Sequence, residues 1–96
     1  MTGRRGRYRS RLRIMVDILS VIAEEGGSAR PTRILYGANL SHDRLVRYLS
    51  EMEARGLIRA VKEEEHVRYE LTERGLRLLR EIKRIEEFLR AFGLEI

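Results

Sequence analysis

Six arginines, Arg4, Arg5, Arg7, Arg9, Arg11 and Arg13, fall within the first sixteen positions, and no acidic residue interrupts them. Eighteen of the 20 basic residues of the chain are arginine. A guanidinium fork meets phosphate oxygens and base edges with paired hydrogen bonds, which an ammonium cannot do. The other eighty positions are nearly balanced, so the net charge of +5 is concentrated at the N-terminus. Residues 1–9 are too polar and glycine-rich to pack, and read as a flexible arm suited to phosphates or a minor groove. A solubilising tail and an RNA contact are alternative uses of the same arm.

A second group with chemistry is Ser41, His42, Arg44 and Arg47. If Ser41 caps a helix, its hydroxyl and the free N–H groups behind it can hold a phosphate. His42, Arg44 and Arg47 then come within reach of phosphates or base edges. Catalysis is not expected. Ser41, His42 and Asp43 are adjacent on one turn and cannot form a relay. Two histidines and no cysteine leave no zinc spacing and no disulfide. Gly26-Gly27-Ser28 lacks the lysine and helix of a phosphate loop. No cofactor or metal is therefore anticipated.

The 96 residues, 43% of them hydrophobic and 36% charged, suit one small domain whose helices bury one face and charge the other. No apolar run nears the roughly 20 residues of a membrane span. No apolar stretch follows the first arginines as in a secretory signal, so a cytoplasmic, nucleoid-associated protein is the expectation.

The elements that must position these groups follow from periodicity. Ser10 caps a first helix over about 11–25, with Leu12, Met15, Ile18, Leu19 and Ile22 on one face and Gly26-Gly27 ending it. Pro31 opens a short second helix carrying Ile34 and Leu35. Gly37-Ala38-Asn39 reads as a turn. Ser41 caps a third helix to about Arg55, its inner face made by Leu45, Tyr48, Leu49 and Met52. This leaves Asp43, Arg47 and Ser50 pointing outward and Arg44 on the flank. Two strands follow, Leu57–Lys62 and Val67–Leu71, joined by the polar turn Glu63–His66. Thr72 caps a long last helix to about Phe92, ended by Gly93.

Helix, short helix, helix, hairpin and helix is a mainly α order with a small β wing. It is how a winged helix-turn-helix presents its third helix to a DNA major groove. Arg33 and Arg68 complete the expected DNA-binding set with Arg4, Arg5, Arg7, Arg9, Ser41, His42, Arg44 and Arg47. The acidic Glu63, Glu64 and Glu65 at the wing tip oppose contact with a phosphate backbone there.

Along the last helix, Leu71, Gly75, Leu78, Ile82, Ile85, Leu89 and Phe92 alternate at four and three, which is a coiled-coil seam. Leu76 and Leu79 lie on another side, toward the domain. A helix with two apolar faces needs two partners, and the second is most simply another copy. Leu78, Ile82, Ile85, Leu89 and Phe92 are the expected dimer contacts. The division is an arm at 1–9, a winged domain at 10–72 and a dimerisation helix at 73–96.

The stretch 32–41 (TRILYGANLS), the Leu45/Tyr48/Leu49 helix, GLI at 56–58 and YELTERG at 69–75 together resemble the ten-kilodalton archaeal winged-helix DNA-binding, or chromatin, proteins, relatives of the ArnR-like winged helices. The likeness covers about residues 11–92. It implies a homodimer through an antiparallel coiled coil of the last helices, with the winged heads at its ends. It also implies duplex binding by the helix carrying Ser41, His42, Arg44 and Arg47. The chain departs from the pattern at His42, where an aromatic residue is common, and in its acidic wing. A nucleoid protein and a transcriptional regulator both fit. The competing reading is a winged-helix module that binds proteins and not duplex.

Overall fold

A computed structural model describes residues 9–96; Arg4, Arg5 and Arg7 lie outside the described residues. The elements run α1 (Arg11–Glu24), β1 (Ser28–Ala29), α2 (Pro31–Ala38), α3 (His42–Ala54), β2 (Ile58–Glu63), β3 (His66–Leu71) and α4 (Glu73–Arg90). Three N-caps stand where the hydroxyls suggest. Ser10 Oγ accepts the Arg13 N–H at 3.0 Å, Ser41 Oγ that of Arg44 at 3.3 Å, and Thr72 Oγ1 that of Gly75 at 3.0 Å. Each removes one orphan donor from a helix start.

The sheet is antiparallel in the order β1-β3-β2, so the wing has a third strand beyond the two expected. Gly26 and Gly27, at φ +88° and +102°, swing the chain so that Ser28 pairs with Glu70 and Ala29 with Tyr69. Two residues are too short to show alternation, which is why β1 has no sequence signature. The hairpin pairs Glu63 with His66 across a two-residue turn, Glu64-Glu65.

One core lies between α1, α2, α3, the base of the wing and α4. Ile14, Ile18, Leu19, Ile22, Ile34, Leu45, Met52 and Ile58 are its most deeply buried large side chains. Each such side chain contributes about 1.5–3 kcal/mol by leaving water.

Two glycines act differently from the sequence reading. Gly37 is inside α2, not in the turn: a Cβ there would lie 2.8 Å from a Val21 methyl, so the residue lets α2 press onto α1. The turn is made one residue later by Asn39, left-handed at φ 55°. Gly75 does not belong to a seam. It is buried, and a Cβ would sit 2.0 Å from the Leu57 carbonyl oxygen, so it seats the start of α4 on the α3–β2 junction. The Thr72 hydroxyl reinforces that junction by donating to the Gly56 carbonyl at 2.6 Å.

Antiparallel to α1, α4 is held by a Glu86–Arg13 ion pair near its far end. Its inner face carries Leu79 and Ile82. Ile82, expected at a dimer seam, is only 8% exposed in the single chain and belongs to the chain's own core. Leu78 and Leu89 are half-buried, whereas Ile85, Phe88 and Phe92 are exposed.

Candidate nucleic-acid interface

The outer side of α3 is set by its inner one. Leu45, Leu49 and Met52 anchor it to the core, and at about 100° per residue this turns Asp43, Arg44, Arg47 and Ser50 to solvent. The guanidinium groups of Arg44 and Arg47 make no hydrogen bond or ion pair with any of the described residues, although the Arg44 backbone N–H donates to the Ser41 hydroxyl. Together with Arg11, Tyr48 and Glu51 they line an open hollow of about 330 Å³. Arg11 and Arg55 both bind the Glu51 carboxylate, Arg55 at 2.9 Å. That leaves the hollow cationic, with a phenol on one wall and its single acid already shared. Such a surface suits a phosphodiester, which takes charged donors and a hydroxyl.

The Ser41 hydroxyl serves as a cap and still has a proton to donate outward. His42 and Asp43 are exposed on the first turn. Asp43 suits the positive end of its own helix and repels a phosphate placed there.

The other expected contacts stand elsewhere. Arg33 is exposed, but its Nε donates to Glu25 at 2.7 Å. Arg68 turns inward along the sheet and donates to the Ser28 hydroxyl at 2.9 Å and the Ser28 carbonyl at 3.2 Å. Arg59 is paired with Glu70 at 2.7 Å. Arg9 is not part of a free arm. Its guanidinium reaches Asp17 and the Ala38 carbonyl, each at 2.7 Å, and the Asn39 carbonyl at 2.9 Å. It thus closes the C-terminal carbonyls of α2 at the turn that precedes α3. The arginine spacing gave no hint of this, because the partner carbonyls come from another helix.

Arg11 and Tyr48 are the contributors that sequence reading passed over. Arg11 opens the first helix and was given no binding role, yet it lines this hollow with Arg44 and Arg47 of α3. Tyr48 was assigned wholly to the inner face, yet it is half-buried and lines the hollow. On the opposite flank Tyr69 packs at the base of the wing, and burial, then the nearby Glu53 charge, push its hydroxyl above the ordinary 10.0. It stays protonated and neutral at physiological pH.

Comparisons with known proteins agree with this layout. The family model described as winged helix-turn-helix matches residues 8–90. Among solved structures, the chain is similar to Sso10a-2, a DNA-binding protein from Sulfolobus solfataricus. The identity is 32%, over 88% of this chain and 83% of that one, with a TM-score of 0.71. It shares its fold with F93 from STIV, a winged-helix DNA-binding protein (17% identity, 80% and 89% coverage, TM-score 0.70). It also shares it with the PcaV transcriptional regulator from Streptomyces coelicolor (22%, 81% and 57%, 0.70). A search of curated proteins returned no match.

Proposed function

This chain belongs to the winged helix-turn-helix family, and from that premise we propose that it binds double-stranded DNA as a homodimer, presenting α3 to the major groove. One observation carries the reading. Around α3 the cations Arg9, Arg11, Arg33, Arg55, Arg59 and Arg68 all have protein partners, while Arg44 and Arg47 on its outer side have none among the described residues. Unpaired guanidinium groups on a rigid helix are preorganised for an anion that the chain itself does not supply. The likeness to a DNA-binding protein at 32% identity supports the same reading.

Arg44 and Arg47 reach base edges or phosphates, and Ser41, His42 and Arg11 hold the flanking backbone. The arginines of residues 1–8 add a sequence-independent cationic reach. The dimer forms through the exposed stripe of α4 that contains Ile85 and Phe88 and through Phe92 in the turn just beyond it. The activity is binding, not catalysis. Its role is that of a nucleoid-associated protein or a regulator, and a single footprinted site, against uniform coverage, separates the two.

The test is a gel shift against specific and random duplexes over a salt series. Binding should weaken steeply, by roughly 0.9 in the log–log slope for each phosphate neutralised. Arg47→Ala should lower affinity by about tenfold and leave the melting temperature unchanged. A protein that shifts no duplex even at low salt sinks the reading. In its place would stand the protein-binding module that the acidic wing tip Glu63–Glu65 favours.

A further inference from the structure

Helix α3 has two flanks of opposite character. At about 100° per residue, Arg44 and Val46 stand on either side of the outward-facing Arg47. The Arg44 flank borders the cationic hollow shared with Arg11 and Tyr48. The Val46 flank borders a different hollow, of about 390 Å³, between α3, the start of α2 and the wing. Pro31, Leu45, Leu49 and Tyr69 give this second hollow largely apolar walls. It contains no arginine or lysine, and Glu53 is the one acid among the described residues that line it. Val46 itself is 50% exposed and is the one large apolar side chain that α3 leaves in water.

This flank is unsuited to a phosphate. No cation receives the charge, and Glu53 repels it. An uncharged base edge meets neither obstacle. In the major groove the apolar group that a base presents is the 5-methyl of thymine. That methyl stands at the outer end of the base edge, beside its own strand, where a residue on the flank of an inserted helix arrives.

We infer that Val46 reads thymine: with Arg47 in the major groove, the Val46 side chain packs on a thymine 5-methyl, so that the chain favours an A·T pair at that position. Val46 precedes Arg47 and is displaced from it by about 1.5 Å along the helix axis, so an arginine engaged in the groove brings Val46 to the same few base pairs. A β-branched side chain in a helix holds essentially one χ1 rotamer, so the contact costs little side-chain freedom. The inference rests on the proposed docking of α3 on duplex DNA and adds a specificity determinant to it.

The methyl group is removable from the DNA without touching the protein. Two duplexes of equal length, one alternating deoxyadenosine with thymidine and one alternating deoxyadenosine with deoxyuridine, differ in composition only by that methyl. In gel shifts the wild-type chain should bind the thymine duplex at least about fourfold more tightly, the factor expected when roughly one methyl leaves water. The salt slope should be the same on both, because no phosphate contact changes. Val46→Ala should abolish the preference by weakening binding to the thymine duplex alone. Val46 is half-exposed and alanine is the best helix former, so this variant keeps the fold.

Equal affinity of the wild-type chain for the two duplexes overturns the inference and leaves DNA binding standing. A preference that Val46→Ala retains also overturns it, because the methyl groups then act through the shape of the duplex. A chain that shifts neither duplex even at low salt overturns the docking of α3 on DNA, and this inference with it.

Discussion

At the scale of single residues, Arg9 shows how position in the chain conceals a role. Its type and spacing match those of Arg5 and Arg7, yet it is tied to Asp17 and to two carbonyls some thirty positions away. Arg9→Ala should cost about 1–3 kcal/mol, because the Ala38 and Asn39 carbonyls lose a charged donor. The turn before α3 should loosen with it. DNA affinity should fall while its salt slope stays unchanged, since this guanidinium is not spent on phosphate. A slope lower by about one unit would place Arg9 on the DNA instead. Gly75 is a second such residue. Gly75→Ala puts a methyl 2.0 Å from a backbone oxygen. It should destabilise the chain by about 1–3 kcal/mol or more, read from urea melts. A neutral result would mean that α4 can lift off the α3–β2 junction without loss.

At the scale of elements, the wing is the least regular piece. Glu64 opens its turn at φ 51°, a left-handed conformation that an L side chain adopts at a cost of about 1–2 kcal/mol. Glu64→Gly should remove that cost and raise the melting temperature by several degrees. An unchanged or lower melting temperature would show that the side chain compensates for its backbone.

Helix α4 also departs from the sequence pattern, in its charges. Glu86 and Arg90 stand four apart on α4, a spacing that permits an ion pair on one helix face, but contacts with other residues take its place. Glu86 turns to Arg13 on α1, and Arg84 binds Glu81. Local spacing says which charges can meet on a helix. It does not say which are drawn away by another helix.

At the scale of the molecule, the proposed function needs two copies and an N-terminal reach. Ile85→Asp places a charge at the centre of the exposed stripe of α4 and should yield monomers, because the carboxylate would be buried without a partner. Sedimentation of an unaltered dimer would move the interface away from this stripe. Removal of residues 1–8, with Arg9 kept, should reduce the salt slope of duplex binding by the ions that Arg4, Arg5 and Arg7 release, up to about three. An unchanged slope would exclude the arm from the interface.

The sequence alone was sufficient for most features decided within a few residues. The caps at Ser10, Ser41 and Thr72, the break at Gly26-Gly27, the inner stripe of α3 and the hairpin all follow from local hydrogen bonding and periodicity. The direction in which α3 points its arginines follows from the same stripe. What required tertiary structure was the allocation of surfaces and charges among distant segments. Leu78, Ile82, Ile85, Leu89 and Phe92 obey one repeat, but packing against α1 takes Ile82 into the core and leaves Ile85 and Phe92 outside. The arginines are likewise equivalent in sequence. Their carboxylate and carbonyl partners lie from 3 to 73 positions away, so only the folded chain shows that Arg9, Arg11 and Arg68 are already bound and that Arg44 and Arg47 are not, among the described residues. Periodicity reports which faces are apolar or charged; which neighbour covers each face is a property of packing.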